Sequence, residues 1–79
     1  MALRPSQVET LRVVERYKNA TRVEVAFATH CSNGAAGWRL FELARDGFLD
    51  ARFEPRLLRS VYRLTQLGKE ALESSEVQG

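Results

Sequence analysis

The sequence predicts an α+β domain that is mostly α: a three-helix core, a two-stranded β-hairpin and a C-terminal helix. Three observations lead there. Apolar residues recur at helical spacing up to Asp46, broken by the turn-forming run Cys31-Ser32-Asn33-Gly34. Gly47 then stops the helical pattern, and a period-two alternation sets in on both sides of Pro55. A last helical stretch follows Thr65.

Ser6 followed by Glu9 has the spacing of a capping box, in which each side chain answers the other's unpaired backbone amide, so a first helix begins there. Val8, Leu11, Val14 and Tyr17 recur every three residues along one face, Arg12 and Arg16 fall on another, and the helix ends near Asn19. Between Arg22 and His30 the β-branched Val23 and Val25 fit a strand, while Ala26, Phe27 and Ala28 suit a helix. The reading is a short second helix from about Val23, with a brief extended segment before it as the alternative. Ser32 or Asn33 can cap a third helix at residues 34–46, whose inward stripe is Ala36, Leu40, Leu43 and Ala44 and whose left-handed C-cap is Gly47. Two helices joined by a short turn make a helix-turn-helix.

Leu49, Ala51 and Phe53 alternate with Asp50, Arg52 and Glu54, the pattern of a half-buried strand, and Pro55, which cannot donate to a ladder, ends it. Ser60, Tyr62 and Leu64 alternate with Val61 and Arg63, so the two strands can pair across a loop at residues 55–59. Thr65 can cap a helix running through Leu67, Ala71 and Leu72, after which apolar periodicity is lost. The domain plan is an N-terminal arm at residues 1–5, a folded domain at 6–72 and a flexible tail at 73–79.

At 79 residues the chain has room for one core and none for a deep cleft between lobes. Hydrophobic residues at 44% and charged residues at 28% match an ordinary globular protein. No stretch approaches the ~20 apolar residues that cross a bilayer, and the N-terminus lacks the apolar core of a signal peptide, so no membrane partner is expected and the location reads as cytoplasmic. Cys31 and His30 stand alone in their residue types, too few ligands for a zinc site, and no cofactor or metal is expected. No nucleophile, base and acid stand at motif spacing, which argues against an enzyme. The formal net charge is +2, unevenly spread: residues 1–22 carry five basic and two acidic side chains, residues 50–64 four and two, residues 65–79 one and three.

Two segments carry a family resemblance: Leu40-Phe41-Glu42-Leu43-Ala44-Arg45-Asp46-Gly47-Phe48-Leu49 and Tyr62-Arg63-Leu64-Thr65-Gln66-Leu67-Gly68-Lys69-Glu70-Ala71-Leu72. The first is similar to the exit of a recognition helix and the second to the last strand and helix of winged helix-turn-helix DNA-binding domains. With the helical spacing before them, the chain from Ser6 to Leu72 resembles the MarR-type and PadR-type regulators of bacteria and phages. The resemblance implies that the third helix enters the major groove with its first turns at base edges, while the hairpin, or wing, lies on phosphates or in the minor groove. The implied DNA-binding positions are Ser32, Asn33, Ala35, Gly37, Trp38 and Arg39, with Phe41 beside them, and Arg52, Arg56, Arg59 and Arg63 on the wing.

That surface departs from a usual groove-reading face, which is rich in Arg, Lys, Gln or Asn; here Asn33 and Arg39 bracket small residues. Trp38 either lies on the flank or outside, as a dimer or partner contact, or tilts into the core, and Phe41 reads more as core. The wing arginines are either phosphate contacts or a solvated face balanced by Asp50 and Glu54; Arg56 and Arg59, placed at the tip away from those acids, favour phosphate. Arg12 and Arg16 read as a solvated face, Cys31 as a buried inert thiol, His30 as the end of the second helix. The functional expectation is a double-stranded DNA-binding transcription regulator, helped by forming a homodimer. Its rivals are a protein-interaction module using Trp38, Phe41 or Leu57-Leu58 as apolar anchors, and a DNA-binding accessory factor of phage recombination or packaging.

Overall fold

The computed structural model describes residues 3–78, with side chains described through residue 75. In chain order the elements are α1 (Pro5–Tyr17), α2 (Arg22–Thr29), α3 (Asn33–Arg45), β1 (Leu49–Glu54), β2 (Arg59–Leu64) and α4 (Gln66–Gln78). The core is Leu11, Val13 and Val14 of α1, Ala20, Val25 and Ala26 around α2, Ala36, Leu40 and Leu43 of α3, Leu49 at the base of β1 and Leu72 of α4. Three helices thus bury their apolar stripes against one another, and α4 closes the base.

The start of α1 differs from the expected box. Arg4 is the N-cap, its backbone N–H donates to Gln7 Oε1 at 2.9 Å, and Pro5 takes the first helical position, where its missing N–H costs nothing. Ser6 therefore lies inside the first turn, where its carbonyl accepts from Thr10 Oγ1 at 2.8 Å. The inward face also differs: Thr10, Leu11, Val13 and Val14 are buried, Val8 is half-buried and Tyr17 is exposed. On a 3.6-residue helix a three-residue repeat slips by about 60° per step, so Tyr17 ends roughly opposite Val8. The helix stops at Tyr17 rather than Asn19, with Lys18 at φ 68°.

α2 opens on a capping box formed by Thr21 and Glu24: the Thr21 N–H and hydroxyl both donate to Glu24 Oε1, at 2.9 and 3.0 Å. Before it, the extended Ala20 pairs with Tyr62 of β2 through two backbone bonds of 3.1 and 2.8 Å, the brief extended segment that the sequence left open. His30 ends α2 in the left-handed region at φ 55°. Ser32 caps α3, its Oγ accepting from the Ala35 N–H at 3.1 Å. At the far end Gly47, at φ 89°, carries a Schellman turn: its N–H donates to Ala44 O at 3.1 Å and the Phe48 N–H to Leu43 O at 2.9 Å.

β1 and β2 form an antiparallel hairpin in which Leu49 faces Leu64, Ala51 faces Tyr62 and Phe53 faces Ser60. Only Leu49 at its base is buried; Ala51 is exposed and Phe53 is 59% exposed. The alternation in β1 fixes the pleat but not the burial expected of it, because the hairpin outruns the helices that could cover its inner face. The connecting turn is Pro55–Leu58, so Arg59, expected in the loop, is the first residue of β2. Thr65 caps α4, its hydroxyl accepting from the Gly68 N–H at 3.1 Å and donating to Gly47 O at 2.7 Å. α4 continues past Leu72 to Gln78, with Ser75 Oγ donating to Ala71 O at 3.0 Å.

Candidate nucleic-acid interface

Capping by Ser32 and burial of Ala36, Leu40 and Leu43 fix the phase of α3 about its axis, and the phase decides what it shows to solvent. At about 100° per residue, Gly34, Trp38, Phe41 and Arg45 fall on one stripe, and all four are exposed. Trp38 is therefore outside, at 59% exposure, and Phe41, expected more as core, is also outside, at 53%. Their rings stack at a centroid distance of 5.6 Å and an interplanar angle of 25°. The phase set by the buried Ala36, Leu40 and Leu43 is what puts Phe41 outside, where it covers part of Trp38, rather than in the core.

The other positions implied on α3 lie around this stripe. Ser32 spends its hydroxyl on the cap, and Asn33 stands exposed at the first turn. Gly37 is half-buried beside Arg22; a β-carbon there would sit 3.6 Å from Arg22 Cδ, an ordinary contact that needs no glycine. Ala35 is half-buried. Arg39 is half-buried on the flank, its Nη1 donating to Cys31 Sγ at 3.6 Å, and Cys31 in turn contacts Thr29 Oγ1 at 3.1 Å. Cys31 is thus half-buried in a polar setting rather than fully enclosed.

Register places Asp50 opposite Arg63, Arg52 opposite Val61 and Glu54 opposite Arg59, so these six side chains share the outward face of the hairpin. Arg52, Arg56, Arg59 and Arg63 are all exposed. Arg59 is not remote from acid, as its expected place at the tip implied, but directly across from Glu54. Glu54 also accepts the Arg56 backbone N–H at 3.1 Å, so Arg56, expected away from acid, is exposed but lines a groove with Glu54 and Glu24.

Two grooves flank the hairpin and differ in charge. One is lined by Thr21, Arg22, Val23, Asn33, Leu58, Arg59, Ser60 and Tyr62, and none of these described residues is acidic. It joins the start of α3 to the wing. The other, on the α1–α2 side, holds Glu24 and Glu54 beside Arg52, Arg56 and Arg63. The first groove therefore favours an anion more than the second does. Arg22 is the residue that sequence reasoning missed. Its signal lay in the basic excess of residues 1–22, and only the fold carries it next to Asn33 and Arg59. Phe27 is a second surprise, an α2 aromatic left 83% exposed while Val25 and Ala26 fill the core.

Among the described residues no helix is long and apolar enough to cross a membrane, and no group of His, Cys, Asp and Glu is placed to hold a metal ion. No protein-family model and no curated protein sequence matches the chain. Solved structures do. A MarR family transcription regulator superimposes with a TM-score of 0.88 at 19% identity, over 96% of this chain and 51% of that one. Streptococcus pneumoniae FabT in complex with DNA matches with a TM-score of 0.85 at 16% identity, over 94% and 52%. A mutant MarR from E. coli complexed with operator DNA matches with a TM-score of 0.84 at 20% identity, over 91% and 52%. The chain spans about half the length of these structures. With 91–96% of the chain superimposed, the chain has the winged helix-turn-helix fold, in the form seen in MarR-family transcription regulators.

Proposed function

We propose that the chain binds double-stranded DNA as a small transcription regulator, with residues 34–46 in the major groove and the wing, residues 55–59, on phosphates. The observation that carries this reading is the acid-free groove joining Asn33 and Arg22 to Arg59 at the point where α3 meets the hairpin. Its setting is a fold shared with structures solved on DNA. Ser32, Asn33, Ala35, Gly37, Trp38 and Arg39 lie at or beside the groove-facing stripe, and Arg52, Arg56, Arg59 and Arg63 on the wing. Arg22 is the strongest phosphate contact, through the groove's charge, and Arg56 adds an exposed cation at the turn beside Glu54. Arg59 shares its field with Glu54. The role is binding rather than catalysis, the working domain is residues 6–72, and a homodimer would double a contact that for one small module covers only about 600–1,000 Å².

Titration of the chain with mixed-sequence duplex DNA at two salt concentrations tests this. Affinity falls as salt rises, with a log–log slope of about 0.9 per phosphate neutralised. The paired changes Arg56→Ala and Arg59→Ala weaken binding and flatten that slope. No binding even at low salt removes the reading. It would favour instead a protein-interaction module, for which the exposed Trp38, Phe41 and Leu57 are the specific motive.

A further inference from the structure

Resting on the DNA-binding reading, we infer that the stacked pair Trp38–Phe41 is an apolar reading plate for thymine 5-methyl groups, so that sequence choice falls on methyl contacts rather than on hydrogen bonds from Asn, Gln or Arg. The outward stripe of α3 holds Gly34, Trp38, Phe41 and Arg45. Among the described residues the indole N–H of Trp38 is the only side-chain donor on that stripe over the first three turns, and the neighbouring Arg39 is turned to Cys31 at 3.6 Å. Base edges in the major groove offer hydrogen-bonding atoms at every pair, but one apolar feature, the thymine methyl. Two rings inclined at 25° with centroids 5.6 Å apart make a continuous apolar face. Laid on a G·C pair, that face would strip water from the guanine acceptors and return at most the single indole N–H of Trp38, which costs binding. Laid on thymines, it buries methyls.

Charge complementarity argues for a nucleic acid as the occupant of this face. The plate is framed at one end by the acid-free groove of Arg22, Asn33 and Arg59, and at the other by Arg45. Arg45 is held by Asp46 at 3.4 Å in the last turn, and no acid lies on the exposed stripe before it among the described residues. A polyanion that approaches along the stripe from the groove end therefore meets no acid on it before Arg45.

The test begins with duplexes enriched by the intact chain from a random-centre pool, resynthesised with deoxyuridine at every thymine. That change deletes the methyl and keeps base pairing. The thymine duplex binds more tightly, by about fourfold for each methyl covered. Trp38→Ala combined with Phe41→Ala binds both duplexes alike and keeps the parent's salt slope, since the phosphate contacts lie elsewhere. Equal binding of the two duplexes by the parent chain overturns the inference while leaving DNA binding intact, and so does enrichment of sequences without thymine or no enrichment at all. Failure to bind any duplex at low salt is a different result, which removes the underlying reading and this one with it. Both rings are exposed, so the double variant should fold; if it does not, the deoxyuridine comparison on the parent chain still decides.

Discussion

Gly68 and Thr65 show how single residues fasten the hairpin to the last helix. A β-carbon at Gly68 would overlap the Phe48 carbonyl oxygen and crowd Leu64, so α4 can lie this close to the start of β1 only without one. The Thr65 hydroxyl spans the same junction, donating to Gly47 O and accepting from Gly68 N–H. Gly68→Ala improves helix propensity by about 1 kcal/mol taken alone, yet here it should destabilise by about 1–3 kcal/mol through overpacking. Urea unfolding followed by circular dichroism measures the sign; a variant as stable as the parent would show that the junction yields. None of this was legible in the sequence, where Gly68 is simply a weak helix former and its partner lies twenty positions earlier, in the turn that leads into β1. Gly47 was legible, because a glycine between a helical and an alternating pattern has a local meaning that φ 89° fulfils.

At the level of elements, local chemistry decided which signals were honoured. Two stretches have the capping-box spacing, Ser6 to Glu9 and Thr21 to Glu24, and only the second forms one. Pro5 explains the first, since a proline suited to the opening helical position shifts the cap back to Arg4. Glu24→Ala should therefore cost about 1 kcal/mol of stability, whereas Glu9→Ala, at an exposed position, should stay within about 0.5 kcal/mol. Thermal melts of the two variants check the contrast, and equal effects would contradict the assignment. Element order, the Ser32 cap, the inward stripe of α3 and the hairpin pairing were all readable, because each follows from periodicity or turn chemistry within a few residues. Burial along the hairpin and the exposure of Phe41 were not, since both depend on how far neighbouring elements extend.

Considered whole, the molecule is a small helical core with a projecting ribbon, pinned by the Ala20–Tyr62 bridge so that the wing and the start of α3 flank one groove. The wing arginines could be named from sequence, but their setting could not: the acid opposite Arg59 and the arrival of Arg22 from α2 are products of register and packing. Those placements make a surface with arginines at its edges and aromatics along α3, which we propose duplex DNA occupies. Amide chemical-shift mapping of the isotopically labelled chain during titration with a DNA duplex tests that claim most directly. The perturbed amides should cluster at residues 32–41, around Arg22 and along residues 52–63, while α4 stays unchanged. Perturbations confined to α1 and α4, or none at saturating duplex in low salt, would contradict it.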